Sequence, residues 1–220
     1  MIERILPSQV GSSESFGDNA AAELFPQECA FIARATESRR REFATARSCA
    51  RAALARLGRP PGPVLPGPGG APQWPDGVTG SITHCPGYRA AAVGLTRDIA
   101  SLGVDAEPNE ALPDRGMLEL IALDQERARL GELAEARPAI CWDRLLFCAK
   151  ESVYKSWFPL ARCWLGFESA DIVIDARGGT FTSRLLVQGP LVNGVPLAQM
   201  SGRWLADKGL LVTAVVVTAA

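Results

Sequence analysis

The sequence predicts an α+β protein built of two halves, and three observations carry that reading. Apolar residues recur at helical spacing over residues 38–57 and again over 142–158. Short runs bounded by Gly and Pro turns stand between and after them and read as strands. The resulting order of helix, strands, helices, strands divides the chain into two α+β halves near residues 103–112.

Each element follows in order. Residues 1–25 mix Ser, Gly and acidic side chains and predict a strand or loop of low regularity. Pro26 opens a helical stretch with Cys29, Ala30, Phe31 and Ile32. The helix over 38–57 is stopped by Gly58 and Pro60-Pro61. Its Phe43, Ala46, Ala50, Ala53, Leu54 and Leu57 form a core-facing stripe. Residues 60–75 are Pro/Gly punctuation and hence a loop, of a kind that can lay its backbone against a ligand. Residues 78–83 and 88–95 predict a β-hairpin turning at Cys85-Pro86-Gly87, and 100–107 predict a strand ended by Pro108. Helices follow at 117–123, 124–136 and 142–158. Strands return at 171–175, 180–187, 203–206 and 210–218, with turns at Gly178-Gly179 and Lys208-Gly209.

Composition narrows the function. Formal net charge is −1, so no global field draws the chain onto nucleic acid or an anionic membrane, and anion binding must come from local clusters. Met1-Ile2-Glu3-Arg4 is not a basic stretch leading into an apolar one, so no export signal is expected. The longest apolar run, 210–217, is too short to span a bilayer. Cys29, Cys49, Cys85, Cys141, Cys148 and Cys163 form no CxxC pair, which predicts reduced thiols and a cytoplasmic location. With His84 the one histidine, neither a zinc site nor serine–histidine chemistry is expected.

Two short motifs carry the chemistry. In Leu102-Gly103-Val104-Asp105-Ala106-Glu107-Pro108, strand parity projects Asp105 and Glu107 to one face while Val104 and Ala106 face a core. Two carboxylates so close repel unless a cation or proton lies between them. Magnesium, which bridges carboxylates to substrate phosphates, suits that edge; the bland alternative is a solvated strand end. In Trp142 to Lys155, Glu151 and Lys155 share a helix face, with Lys150 about 100° round from Glu151. This is either an exposed ion pair or a third metal ligand with lysines reaching toward phosphate. The large apolar residues around Glu151, among them Leu145, Leu146, Val153 and Trp157, bury much of the helix and favour the second reading. Thr83-His84 ends a predicted strand, where histidine is either structural or a phosphate contact. Arg40, Arg47 and Arg51 fall on one helix face, with Arg39 close to it, and make either a solvated face or a phosphate-binding one.

Gly103-Val104-Asp105-Ala106-Glu107, with Glu151 44 residues further on in an Ala-Lys-Glu-Ser-x-x-Lys context, resembles the signature of Sfp-type 4′-phosphopantetheinyl transferases. Arg40-Arg41-Glu42-Phe43 with Arg47-Ser48-Cys49-Ala50-Arg51, Gly80 to Cys85, and Trp142 to Cys148 are similar to the actinobacterial carrier-protein-activating branch. The resemblance implies a monomer of two similar α/β subdomains, 1–103 and 104–220, related by a pseudo-twofold axis with the active site in the cleft between them. It implies transfer of the phosphopantetheine arm of coenzyme A to a serine of apo acyl or peptidyl carrier proteins. By the same resemblance Asp105, Glu107 and Glu151 hold magnesium (manganese substituting), and Asp105, Glu151 and Lys155 are the catalytic set. Glu151 doubles as general base, directly or through water. Lys155 and Lys150 steady the pyrophosphate, and Arg39, Arg47, Thr83 and His84 hold the adenosine end.

One departure stands out. Loop 64–72 usually carries a basic residue that contacts the coenzyme A phosphates, and here it carries none. The amides of Gly67 and Gly69 are left to face the nucleotide. Weaker coenzyme A binding is expected, and Pro66→Lys should lower the KM for coenzyme A. Met117, Leu118, Leu120 and Ile121 are candidates for carrier contact, with core the commoner use of such residues. The competing readings are a coenzyme A-binding module without catalysis and a nucleic-acid binder using the arginine helix. The intact acidic and lysine set argues against the first, and the near-neutral charge against the second.

Overall fold

The computed structural model describes residues 1–219. The chain runs β1 (Gly11–Phe16), α1 (Pro26–Ile32), α2 (Glu37–Arg56), β2 (Val78–Cys85), β3 (Tyr88–Leu95), β4 (Ile99–Pro108), α3 (Arg115–Ile121), α4 (Asp124–Ala136) and α5 (Trp142–Ala161). It ends with β5 (Ala170–Asp175), β6 (Thr180–Leu185), β7 (Leu191–Val192), β8 (Val195–Pro196), β9 (Gln199–Asp207) and β10 (Leu210–Thr218). The mixed architecture is the α+β class expected. Strands β1-β3-β2 form one antiparallel sheet and β4-β10-β9-β6-β5 a second, with β7-β8 a separate ribbon.

Period-two burial explains the layers. On β3, Ala91 and Val93 meet Ala50, Ala53 and Leu54 of α2, while Tyr88, Ala90 and Ala92 turn to the opposite face. On β10, Leu211 and Val215 meet Leu145, Leu146, Val153 and Trp157 of α5, while Leu210, Val212 and Ala214 turn away. The two far faces share one core, into which Ile2 and Ile5 of an N-terminal 3-10 turn are inserted. Glycine sets the helix distances. A Cβ at Gly11 would lie 2.7 Å from the Ala53 carbonyl oxygen, and one at Gly103 only 2.0 Å from that of Ser152. The backbone of α5 therefore rests directly on β4.

The sheets meet edge to edge without a backbone ladder. The Val104 amide donates to Ser81 Oγ at 3.1 Å, and the Ala106 amide to Thr83 Oγ1 at 3.0 Å. Hydroxyls from β2 thus satisfy buried donors on β4 that water cannot reach. The constant offset of these pairs means that the two strands run in the same direction.

The sequence left residues 1–25 as a strand or loop, because Gly-Ser-Ser-Glu-Ser-Phe has no apolar alternation; the strand's register comes from pairing with β3. It also missed β7-β8, although Asn193-Gly194, both at positive φ, is a common hairpin turn. Helix α5 continues past Phe158 through Pro159 to Ala161. A proline so near the end removes the amide for one carbonyl, that of Lys155. Among the described residues no helix is long and apolar enough to cross a membrane.

Candidate active site

A cleft of about 730 Å³ lies between α2, the loop 66–74, β2 and α5, within the usual size of small-molecule sites. Its floor follows from β4. Strand parity puts Gly103, Asp105 and Glu107 on the face toward α5, and the missing side chain at 103 lets α5 close against them. Glu151 and Lys155, one turn apart, then line the cleft.

Asp105 is 5% exposed. Its Oδ1 accepts from Thr83 Oγ1 at 3.1 Å and from Lys155 Nζ at 2.7 Å. Its Oδ2 is buried and accepts no hydrogen bond, although the Cys148 thiol lies against the same carboxylate. Such an orphaned acceptor is costly unless something arrives to meet it. Glu151 is half-buried; burial first, then the Asp105 charge, raises its pKa against the pull of Lys155. Glu107 is raised in the same way by burial and by Asp105, opposed by Arg144, which donates to its Oε2 at 3.2 Å. For Lys155 burial works against the charge, but Asp105 and Glu151 outweigh it and the pKa rises. Asp105 thus repels Glu107 on one side and Glu151 on the other, with the Lys155 ammonium bonded to Asp105 and Arg144 to Glu107.

The opposite wall is basic. Arg47 is 7% exposed, stacks on Phe43 with its Cζ 3.9 Å from the ring centroid, and donates from Nε to the Val64 carbonyl at 2.8 Å. Arg39 Nη1 lies 3.1 Å from His84 Nε2. Arginine can only donate, so Nε2 accepts and the ring proton sits on Nδ1, 3.3 Å from Glu42 Oε1. Burial, then Arg39, Lys155 and Arg89, push the His84 pKa down to about 4, so the imidazole is neutral at pH 7.

Comparison with known proteins decides what this cleft belongs to. The family model for the 4′-phosphopantetheinyl transferase N-terminal domain matches residues 27–94, and that for the 4′-phosphopantetheinyl transferase superfamily matches residues 101–193. The chain is 54% identical over 222 residues to 4′-phosphopantetheinyl transferase Svp of Streptomyces mobaraensis, covering 100% of this chain and 90% of that protein. It is 47% identical over 229 residues to 4′-phosphopantetheinyl transferase PptT of Mycobacterium tuberculosis, covering 98% of this chain and 97% of that one. The corresponding figures for 4′-phosphopantetheinyl transferase Npt of Nocardia iowensis are 47% over 223 residues, 98% and 99%. The chain belongs to the 4′-phosphopantetheinyl transferase superfamily.

Three of the expected site residues have their polar groups engaged within the fold. Lys150 does not reach the cleft: it is 3% exposed, and its Nζ is held by Glu126 Oε2 at 2.8 Å and by the carbonyls of Phe167 and Ala170 at 2.7 and 2.9 Å. The Thr83 hydroxyl is buried and already engaged, accepting from the Ala106 amide and donating to Asp105. Gly67 lines the cleft, but its amide donates to the Ala71 carbonyl at 2.7 Å and is not free for a nucleotide. Arg39, Arg47, His84, Glu151 and Lys155 line the cleft; Asp105 lies behind it, bonded to Lys155, and Glu107 does not line it. Among the described residues no three Asp, Glu, His or Cys side chains converge as a ready ligand set.

The arginine helix is also neutralised from within. Arg51 is held by buried Glu28, and Arg40 and Arg41 pair with Glu37. Glu28 was missed in the sequence. It caps α1 by accepting from the Phe25 amide at 2.9 Å and also takes the Val64 amide at 2.8 Å, so it anchors the start of the cleft loop. Its place in the third helical position after Pro26 is a capping signal that was legible. Of the candidate carrier contacts, Ile121 is buried, Met117 and Leu118 are half-buried, and Leu120 is 80% exposed.

Proposed function

We propose that this transferase moves the 4′-phosphopantetheine arm of coenzyme A to a serine of an apo carrier protein, with magnesium at Asp105, Glu107 and Glu151. The single observation that carries the metal site is Asp105 Oδ2, a buried oxygen that accepts no hydrogen bond beside two more carboxylates whose ionisation is disfavoured. An oxygen donor set of this kind fits magnesium rather than a softer metal. When bound, the ion neutralises charge on the pyrophosphate and holds it in place.

The protein's own groups do the rest. Lys155 stabilises the pyrophosphate oxygens, and its raised pKa keeps it charged for that task. The serine oxygen forms a bond to the phosphorus that carries the pantetheine arm, while the bond from that phosphorus to the bridging oxygen breaks. Adenosine 3′,5′-bisphosphate leaves with that oxygen. The serine proton goes to Glu151, directly or through water; a carboxylate that also holds magnesium is a weak base, which favours the route through water. Arg39 and Arg47 hold phosphate at the adenosine end. A phosphate near His84 would raise the imidazole pKa, so that Nε2 takes up a proton and donates.

The pseudo-twofold halves, 1–103 and 104–220, belong to the same reading. Their support is that two 20-residue helices, α2 and α5, each lie on an antiparallel sheet on either side of the cleft.

The test is to incubate the protein with coenzyme A, magnesium and several apo carrier proteins and to read the carrier mass. The arm should appear, and a chelator should prevent it. No mass gain on any carrier, with coenzyme A still bound, would leave a binding module in place of an enzyme.

A further inference from the structure

The cleft holds one more cation, Arg162, which the sequence motifs do not single out. It ends α5 in the left-handed region, with φ 55° and ψ 23°. Helices commonly use glycine there, because a Cβ is strained in that conformation. The chain keeps an arginine at the strained position, exposed and lining the cleft. Among the described residues its side chain has no hydrogen bond or ion pair.

Helical spacing shows what it is aligned with. Glu151, Lys155, Phe158 and Arg162 are separated by four, three and four residues and all line the cleft. One face of α5 therefore presents a carboxylate, an ammonium and an aromatic ring, and the Arg162 guanidinium lines the same cleft just past the helix end. Phe158 carries the loop that lacks a base: a Cβ at Gly69 would lie 2.6 Å from its ring. Arg162, four residues beyond Phe158, lines the same cleft as that loop.

We propose that Arg162 binds a phosphate of coenzyme A and supplies from α5 the positive charge that loop 64–72 does not carry. This rests on the coenzyme A reading of the cleft. The guanidinium is free of internal partners, matches phosphate geometry and meets the ligand with no ion pair to break. A different role, stabilising the helix dipole at its C-terminus, would need only charge and no ligand.

The two are separated by Arg162→Gly and Arg162→Lys in the full-length protein. Transfer rates are measured against coenzyme A concentration, binding of coenzyme A and of 3′-dephospho-coenzyme A by calorimetry, and Tm by thermal melting. Arg162→Gly relieves the backbone and removes the charge, so it should raise the KM and Kd for coenzyme A about 10-fold. The kcat should stay within about twofold and the Tm should not fall, while Arg162→Lys should recover most of the affinity. If the Arg162→Gly defect disappears with the dephospho compound, the contact is the 3′-phosphate; if it persists, the contact is the pyrophosphate. An Arg162→Gly protein with unchanged KM and Kd sinks the proposal alone, as does a lysine variant no better than glycine. A wild-type protein that neither transfers nor binds coenzyme A sinks the reading of the cleft as well.

Discussion

Lys150 and Lys155 lie five residues apart on α5, about 140° around its axis. Lys150 has three donors and three acceptors: Glu126, Phe167 and Ala170. Glu126 in turn accepts from the amides of Leu123 and Ile172, both at 2.7 Å. The network is closed and lies on the side of the helix away from the cleft. Lys155 meets Asp105 Oδ1, and Asp105 Oδ2 accepts no hydrogen bond. That network is open. A closed buried network fixes α4, α5 and β5 together, whereas an open one is incomplete until a ligand arrives. The same residue type on one helix therefore serves stability in one place and chemistry in the other.

The comparison can be broken most sharply at the open network. Glu151→Gln should reduce kcat by about 10²–10⁴-fold, and Lys155→Ala by a similar factor. Near-wild-type transfer by Glu151→Gln at saturating magnesium would dismiss both the ligand and the base role. Lys150→Met should do the reverse, destabilising the fold by about 3–5 kcal/mol because Glu126 is left buried and unpaired. Adding Glu126→Leu should restore much of that loss in denaturant titration. If Lys150→Met instead raised the KM for coenzyme A with stability intact, the ammonium would belong to the cleft after all.

Gly103→Ala tests the contact that brings the two sides of the site together. Its Cβ would overlap the Ser152 carbonyl, so α5 must shift, at a cost of about 1–3 kcal/mol and with a fall in kcat. Unchanged melting and unchanged rate would show that α5 is not held by this approach.

Two smaller effects sharpen the picture. Because the Glu151 pKa is raised in the fold, its contribution to stability is fully present below the unfolded carboxylate value and is lost as pH rises through the folded one. At neutral pH its charge is thus a burden, and Glu151→Gln should raise the Tm by about 1–3 °C without magnesium. The gain should vanish at acid pH, where both proteins are uncharged at 151. Finally, Ala71→Lys should lower the KM for coenzyme A about threefold. At φ −62° and ψ 137° Ala71 accepts any residue, whereas Pro66 is held in a bridge to Pro72 and is the poorer place for the base. A flat response in coenzyme A titrations would mean that the loop does not face phosphate.

The periodicities of the chain determined α2, α5, the β2-β3 hairpin and β4. They also put Asp105 with Glu107, and Glu151 with Lys155, because strand parity and helix spacing are local rules that need no partner. Those rules end at the boundary of an element. They place Lys150 about 100° from Glu151 but not which surroundings that angle meets, and packing turned it into the α4–β5 side. They mark Thr83 as polar at a strand end, yet only the meeting of β2 with β4 decided that its hydroxyl would serve a buried amide and Asp105. They leave β1 open between strand and loop, its register coming from β3, and they do not single out Arg162, which matters only because the end of α5 reaches the cleft. Sequence spacing fixed which groups share a face; tertiary packing, through the bare Gly103 and the hydroxyl seam, decided which of those faces confront one another across the cleft.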